Sequence, residues 1–85
     1  MDRYLIETPH TVQNCKDLVG LVNAAGYLHH FDWGCTAGVH CGWAIIEAEN
    51  GAQARLAVPP LVRGQERVVK IVKFTQSMLN WTHQQ

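Results

Sequence analysis

The chain has 85 residues, seven basic against seven acidic side chains, 47% hydrophobic and 16% charged content, and a surplus of five His and three Cys. That length limits it to a single domain over residues 1–85, and a formal charge of zero gives no general electrostatic pull toward nucleic acid or anionic lipid. The hydrophobic content excludes a disordered chain, and an odd cysteine count leaves a thiol over from any fully paired disulfide framework.

Arg3–Thr8 (RYLIET) alternates, with Tyr4, Ile6 and Thr8 on one face and Arg3, Leu5 and Glu7 on the other. That two-residue period predicts a strand, which Pro9 ends for want of an N–H. Thr11 is a candidate N-cap for a helix whose apolar stripe runs Val12, Cys15, Leu18, Val19, Val22, Ala25, with Gly26 as its stop. The stretch around Leu18–Leu28 is broken by Gly20, Asn23 and Gly26 and falls short of the ~18–20 apolar residues a membrane span needs. The opening MDRYLIETPH has no apolar h-region, so a cytoplasmic, reducing location is expected.

Tyr27–Gly34 (YLHHFDWG) predicts a second strand and Gly42–Glu49 (GWAIIEAE) a third, joined as a hairpin through CTAGVHC. Asn50 caps a short second helix over Gly51–Val58, which Pro59-Pro60 terminates. Arg67–Phe74 (RVVKIVKF) is a fourth strand, and its near-continuous apolar run suggests a central position. Thr75 caps a brief C-terminal helix with Met78, Leu79 and Trp81 available for docking. The order βαββαβ predicts an α+β, ferredoxin-like fold: a four-stranded antiparallel sheet in the order 4-1-3-2, both helices on one face, and a short C-terminal helix. The uncovered face carries apolar groups from every strand, and homodimerisation through it is the simplest way to bury them.

This topology sorts the His/Cys surplus. His10, Cys35, His40 and Cys41 fall at one end of the sheet and are the candidate metal ligands. Neutral imidazole and thiolate suit zinc or nickel, three ligands giving an open transfer or catalytic site and four a structural one. The spacings C-x5-C and C-x4-H are not established zinc motifs, and no CxxC occurs. Cys15 begins near the same end but lies on the helix's apolar stripe and is read as core, since free Cys packs as a small hydrophobe. His10 could also be a simple loop residue. His29 and His30, as neighbours in a strand, would point to opposite faces and not chelate one ion. His83 lies in the tail.

Three other uses of these groups stay open. Cys35 beside His40 could be a reactive thiol, or could oxidise with Cys41. A cleft lined by Trp33, Trp43 and Tyr4, with His40 or His30 as general base, would make an enzyme for a small apolar or aromatic metabolite. A structural or interaction module is the third. RNA binding is disfavoured: Gly42-Trp43-Ala44 echoes part of an RNA-recognition strand, but Ile45 replaces its second aromatic.

The hairpin HFDWGCTAGVHCGWAIIEAE and the segment VPPLVRGQERVVKIVKFT resemble small uncharacterised bacterial proteins of the ferredoxin-like, dimeric α+β barrel class. The resemblance runs from RYLIETPHT to KFT. It implies Cys35, Gly38, His40 and Gly42 in the hairpin, and His10 after the first strand, as matching positions. Val39 stands where an acid is expected, and Cys41 where Thr or Ser is expected. Related barrels include isomerases, haem-dependent or cofactor-free oxygenases and nickel-binding proteins, so the class does not select a reaction.

Overall fold

A computed structural model describes residues 1–80; the predicted positions Trp81 and His83 lie outside the described residues. The architecture is α+β, with strands β1 (Asp2–Pro9), β2 (Phe31–Trp33), β3 (Cys41–Ala48) and β4 (Arg67–Ile71), and helices α1 (Cys15–Ala24) and α2 (Gly51–Ala54). All strand pairings are antiparallel, in the order β2-β3-β1-β4, which is 4-1-3-2 read from the opposite edge.

Alternation on β1 sets the layers. Tyr4, Ile6 and Thr8 are buried, and their partners across the ladder are Ile46, Ala44 and Gly42. Leu18 and Val22 of α1, Ala54 of α2, and Ala57, Val58 and Val62 complete the core on that same face. The opposite face carries a row Ile45–Leu5–Val69 in register, with Ile45 half-exposed.

Several elements differ from expectation, each for a local reason. Thr11 shapes a turn rather than the helix proper: both its hydroxyl and its carbonyl accept from the Asn14 N–H, so α1 begins later, at Cys15, and Val12 is exposed. Gly26, at φ +84°, ends α1 as expected, with Tyr27 N–H donating to the Val22 carbonyl and Gly26 N–H to that of Asn23. The chain leaves this stop through a 3-10 turn over Leu28–His30, where His30 N–H returns to the Tyr27 carbonyl. The second strand is therefore only Phe31–Trp33, and His29 and His30 are not strand neighbours on opposite faces. Their rings lie 4.2 Å apart.

The predicted second helix is one α-turn, capped by Asn50 Oδ1 accepting from Gln53 N–H at 2.9 Å, followed by a 3-10 turn over Arg55–Ala57. β4 is an edge strand, as the expected order 4-1-3-2 requires and against the central position its apolar run suggests, and it ends at Ile71 because that residue already pairs with Arg3, one residue from the start of β1. Val72 beyond it is exposed. The C-terminal segment Gln76–Asn80 is a 3-10 helix, and Leu79 is exposed rather than docked.

Candidate metal centre

Four chain segments converge at the hairpin end of the sheet. His10 follows β1, Cys15 opens α1, and Cys35 opens a 3-10 turn over Cys35–Ala37 that Gly38 closes at φ +85°. His40 immediately precedes β3. One ligand atom from each of His10, Cys15, Cys35 and His40 lies within 4.8 Å of the other three, and all four residues are half-buried. This is a group that could hold a metal ion.

Backbone pairing builds the convergence. The Thr8 hydroxyl, fully buried, both donates to the Gly42 carbonyl and accepts from the Gly42 N–H at 3.2 Å, clamping the end of β1 to the start of β3. His10 N–H then donates to the His40 carbonyl at 3.0 Å, which sets the two histidines side by side, their ring centroids 5.9 Å apart. Gly42 has no side chain for a reason: a Cβ there would meet the Trp33 ring at 2.7 Å. Trp33 in turn stands edge-on to His10, with centroids 6.1 Å apart, and walls the site.

The protonation pattern of His10 follows from its contacts. Nδ1 lies 2.8 Å from the Thr8 carbonyl oxygen, which can only accept, so Nδ1 carries the proton. In the neutral ring Nε2 is then the acceptor, and it lies 3.4 Å from Cys35 Sγ. An imidazole held through one N–H by a backbone carbonyl, with its other nitrogen turned toward the remaining ligands, is the arrangement metal-binding histidines adopt. His40 adds a second sign, because its Nδ1 is buried without a hydrogen-bond partner among the described residues. A polar atom left in that state costs roughly 1–3 kcal/mol, so something that accepts or shares its valence is favoured there.

Zn–S of about 2.3 Å and Zn–N of about 2.0 Å imply ligand–ligand edges of about 3.3–3.8 Å in a tetrahedron. The 3.4 Å His10–Cys35 pair already has that spacing, and the widest pair, at no more than 4.8 Å, must close by about 1 Å. In the metal-free chain the Cys35 thiol is pushed up from its ordinary value, first by burial and then by the Cys15 thiol beside it, with backbone N–H groups of Cys35 and Cys41 only partly offsetting this. An unassisted low-pKa nucleophile is not what these surroundings produce.

The structure brings together three of the four candidate ligands, His10, Cys35 and His40, and adds Cys15. The apolar stripe assigns Cys15 to the core, yet it is only half-buried and is the first residue of α1, where the helix opens onto the hairpin. Cys41 stands outside the group. It pairs with Pro9 on the sheet face opposite to Thr8 and Gly42, and its Sγ–H donates to the Gly42 carbonyl at 3.6 Å. Parity along β3 carries the signal that separates them: Gly42, Ala44 and Ala48 share the helix-covered face, so Cys41 must take the other.

The other polar groups lie elsewhere. His29, His30 and Asp32 border an open cavity of about 340 Å³ with Leu5, Trp43 and Ile45, on the side of the sheet away from the core. Trp43 is held there by donating from Nε1 to Glu7 Oε2 at 3.3 Å. Tyr4 is buried in the core, so the three aromatics expected to line one cleft do not share one. No helix among the described residues is long and apolar enough to cross a membrane.

The chain is thus an α+β protein with a candidate two-Cys, two-His metal centre at one end of its sheet. Comparison with protein-family models, curated proteins and solved structures gives no match.

Proposed function

We propose that this is a small metal-binding protein in which His10, Cys15, Cys35 and His40 take one Zn²⁺ in a closed, tetrahedral site that ties α1 and the hairpin turn to the end of β1. The observation that carries this is the convergence of four ligand atoms, all within 4.8 Å, from four segments of the chain. Two thiolate sulfurs and two imidazole nitrogens in one compact set suit zinc, which takes four such ligands in its structural sites. Four protein ligands leave no open position for a substrate, which supports a structural ion over a catalytic one.

The test is titration of reduced chain with Co²⁺ under anaerobic conditions. One equivalent should give the intense visible bands of a tetrahedral thiolate site, and one equivalent of Zn²⁺ should bleach them. Cys15→Ala, Cys35→Ala and His10→Ala should each abolish or shift those bands, while Cys41→Ala should leave them unchanged. Stoichiometric tetrahedral metal that survives loss of both Cys15 and Cys35 would remove this ligand set.

The sheet order and its one-sided helical cover support a ferredoxin-like reading, in line with the resemblance of the hairpin and the β4 segment. The row Ile45–Leu5–Val69 on the uncovered face supports burial against a second copy in a homodimer. A protein sedimenting as a monomer at high micromolar concentration would end that part. Free thiols in a zinc site fit a reducing, cytoplasmic compartment.

A further inference from the structure

We infer that Cys15 and Cys35 form a redox-sensitive pair, whose oxidation to a disulfide expels the metal from the site. The inference rests on the proposed ligand set, and it deepens it by assigning a regulation to the same atoms.

The geometry separates this pair from the third thiol. Cys15 Sγ and Cys35 Sγ are within 4.8 Å of each other, whereas Cys41 lies on the far face of β3 with its S–H turned to the Gly42 carbonyl. A disulfide needs an S–S distance of about 2.05 Å, so closure asks for a movement of up to about 2.8 Å shared by two side chains. Both are placed to make it. Cys15 is the first residue of α1, and Cys35 opens a short 3-10 turn flanked by Gly34 and Gly38. Both thiols are half-buried rather than sealed, so a small oxidant can reach them.

With a peroxide as oxidant the chemistry balances. One thiolate attacks the O–O bond, forming a sulfenic acid and releasing hydroxide. The second thiolate attacks that sulfur, forms the S–S bond and displaces a second hydroxide. Two electrons leave the sulfurs and reduce the two peroxide oxygens. Both anionic ligands are thereby converted to a neutral disulfide, which leaves only the imidazoles of His10 and His40. Two neutral ligands cannot hold a divalent ion that four held before, two of them charged. A thiol reductant reverses the step and restores the site.

The experiment uses the full-length reduced chain loaded with Zn²⁺ and treated with one to five equivalents of hydrogen peroxide. Released zinc is followed with a chromogenic chelator, and thiols and disulfides by peptide mapping. One zinc per chain should be released together with the loss of two thiols, a Cys15–Cys35 link should appear, and dithiothreitol should restore binding. Cys41→Ala should behave like the parent chain. Zinc release accompanied by a link to Cys41, or by sulfinic acid without a Cys15–Cys35 link, overturns the inference, and so does zinc retained at full thiol loss. Peroxide treatment of the metal-free chain provides the separating arm. A chain that binds no zinc yet forms the Cys15–Cys35 link rejects the metal site and keeps the pairing; a chain that binds zinc through these residues but never forms the link does the reverse.

Discussion

His10 and His40 stand with ring centroids 5.9 Å apart at the hairpin end, while His29 and His30 stand closer, at 4.2 Å, in the turn before β2. Ring distance alone would favour the second pair as a chelate. Surroundings reverse that order. At the hairpin end one imidazole is oriented by a carbonyl, the other has a buried nitrogen without a partner among the described residues, and two thiols complete the set. His29 and His30 are exposed, and no third ligand joins them among the described residues. A metal site is therefore distinguished by how many donors are committed and desolvated together, and less by how near any two of them are.

The largest expected effect is on stability when metal is added. Binding to the folded chain only, at a free Zn²⁺ concentration about a thousandfold above Kd, contributes about 4 kcal/mol, or roughly 15–30 °C in Tm for a domain this small. Calorimetry with and without a chelator measures it. The same addition to Cys35→Ala should shift Tm by only a few degrees. A parent chain whose Tm ignores zinc would erase the contrast between the two histidine pairs.

Next in size are substitutions that separate a core residue from a ligand on the same helix. Leu18 is fully buried, and Leu18→Ala should cost about 2–5 kcal/mol in urea unfolding with or without zinc. Cys15→Val keeps an apolar side chain of similar size, so the metal-free chain should change by less than about 1 kcal/mol. The zinc-loaded chain should lose most of its metal-dependent stabilisation. A Cys15→Val protein that still gains the full increment from zinc would return Cys15 to the core.

Smaller effects come from the clamp beneath the site. Thr8→Val leaves the Gly42 N–H and carbonyl without their hydroxyl partner and should cost about 1–3 kcal/mol. Gly42→Ala forces a Cβ to within 2.7 Å of the Trp33 ring and should cost a similar ~1–3 kcal/mol. Both should also weaken zinc binding, since they displace His10 and Trp33. At the other pair, His29→Ala with His30→Ala should leave stoichiometry and affinity unchanged, as read by cobalt absorption.

Much of this arrangement is legible in the amino-acid sequence. Alternation on Arg3–Thr8, the stop at Gly26 and the cap at Asn50 are local signals, and each is found where the residue chemistry puts it. The four strands in βαββαβ order place His10, Cys35 and His40 at one sheet end. What escaped depended on shifts of a few residues. Thr11 delayed α1 to Cys15, so a residue counted into the apolar stripe became the first of the helix, facing the hairpin. The 3-10 turn after Gly26 shortened β2, so parity no longer separated His29 from His30. β4 looked central because its run is apolar on both faces, although an edge strand over a one-sided core can show the same pattern. Parity also governed Cys41: a side chain's face follows from register, and register is fixed by long-range pairing that a lone sequence does not display.

The most discriminating measurement at the site is pH dependence, because its sign differs with and without metal. In the metal-free fold, burial and the neighbouring Cys15 raise the Cys35 thiol, so the neutral form is favoured over the unfolded chain, where a thiol titrates near ~8.5. Any stability this contributes is fully present below the unfolded value and is lost as pH rises through the folded one. Cys41, also raised by burial, adds to the same alkaline loss. Zinc inverts the trend, since binding requires both ligand thiols deprotonated and both imidazoles neutral, so affinity rises from acidic toward mildly alkaline pH. Urea midpoints between pH 6 and 10 should therefore diverge, the chelator-treated chain weakening above about pH 8.5 while the zinc-loaded chain strengthens from pH 6 to 8. Cys35→Ala should retain the part of the alkaline loss due to Cys41 and lack any zinc-dependent rise. Parallel curves for the loaded and stripped parent chain would mean that no thiol at this end of the sheet changes protonation on metal binding, and the Cys15–Cys35 pair would then have no part in holding an ion.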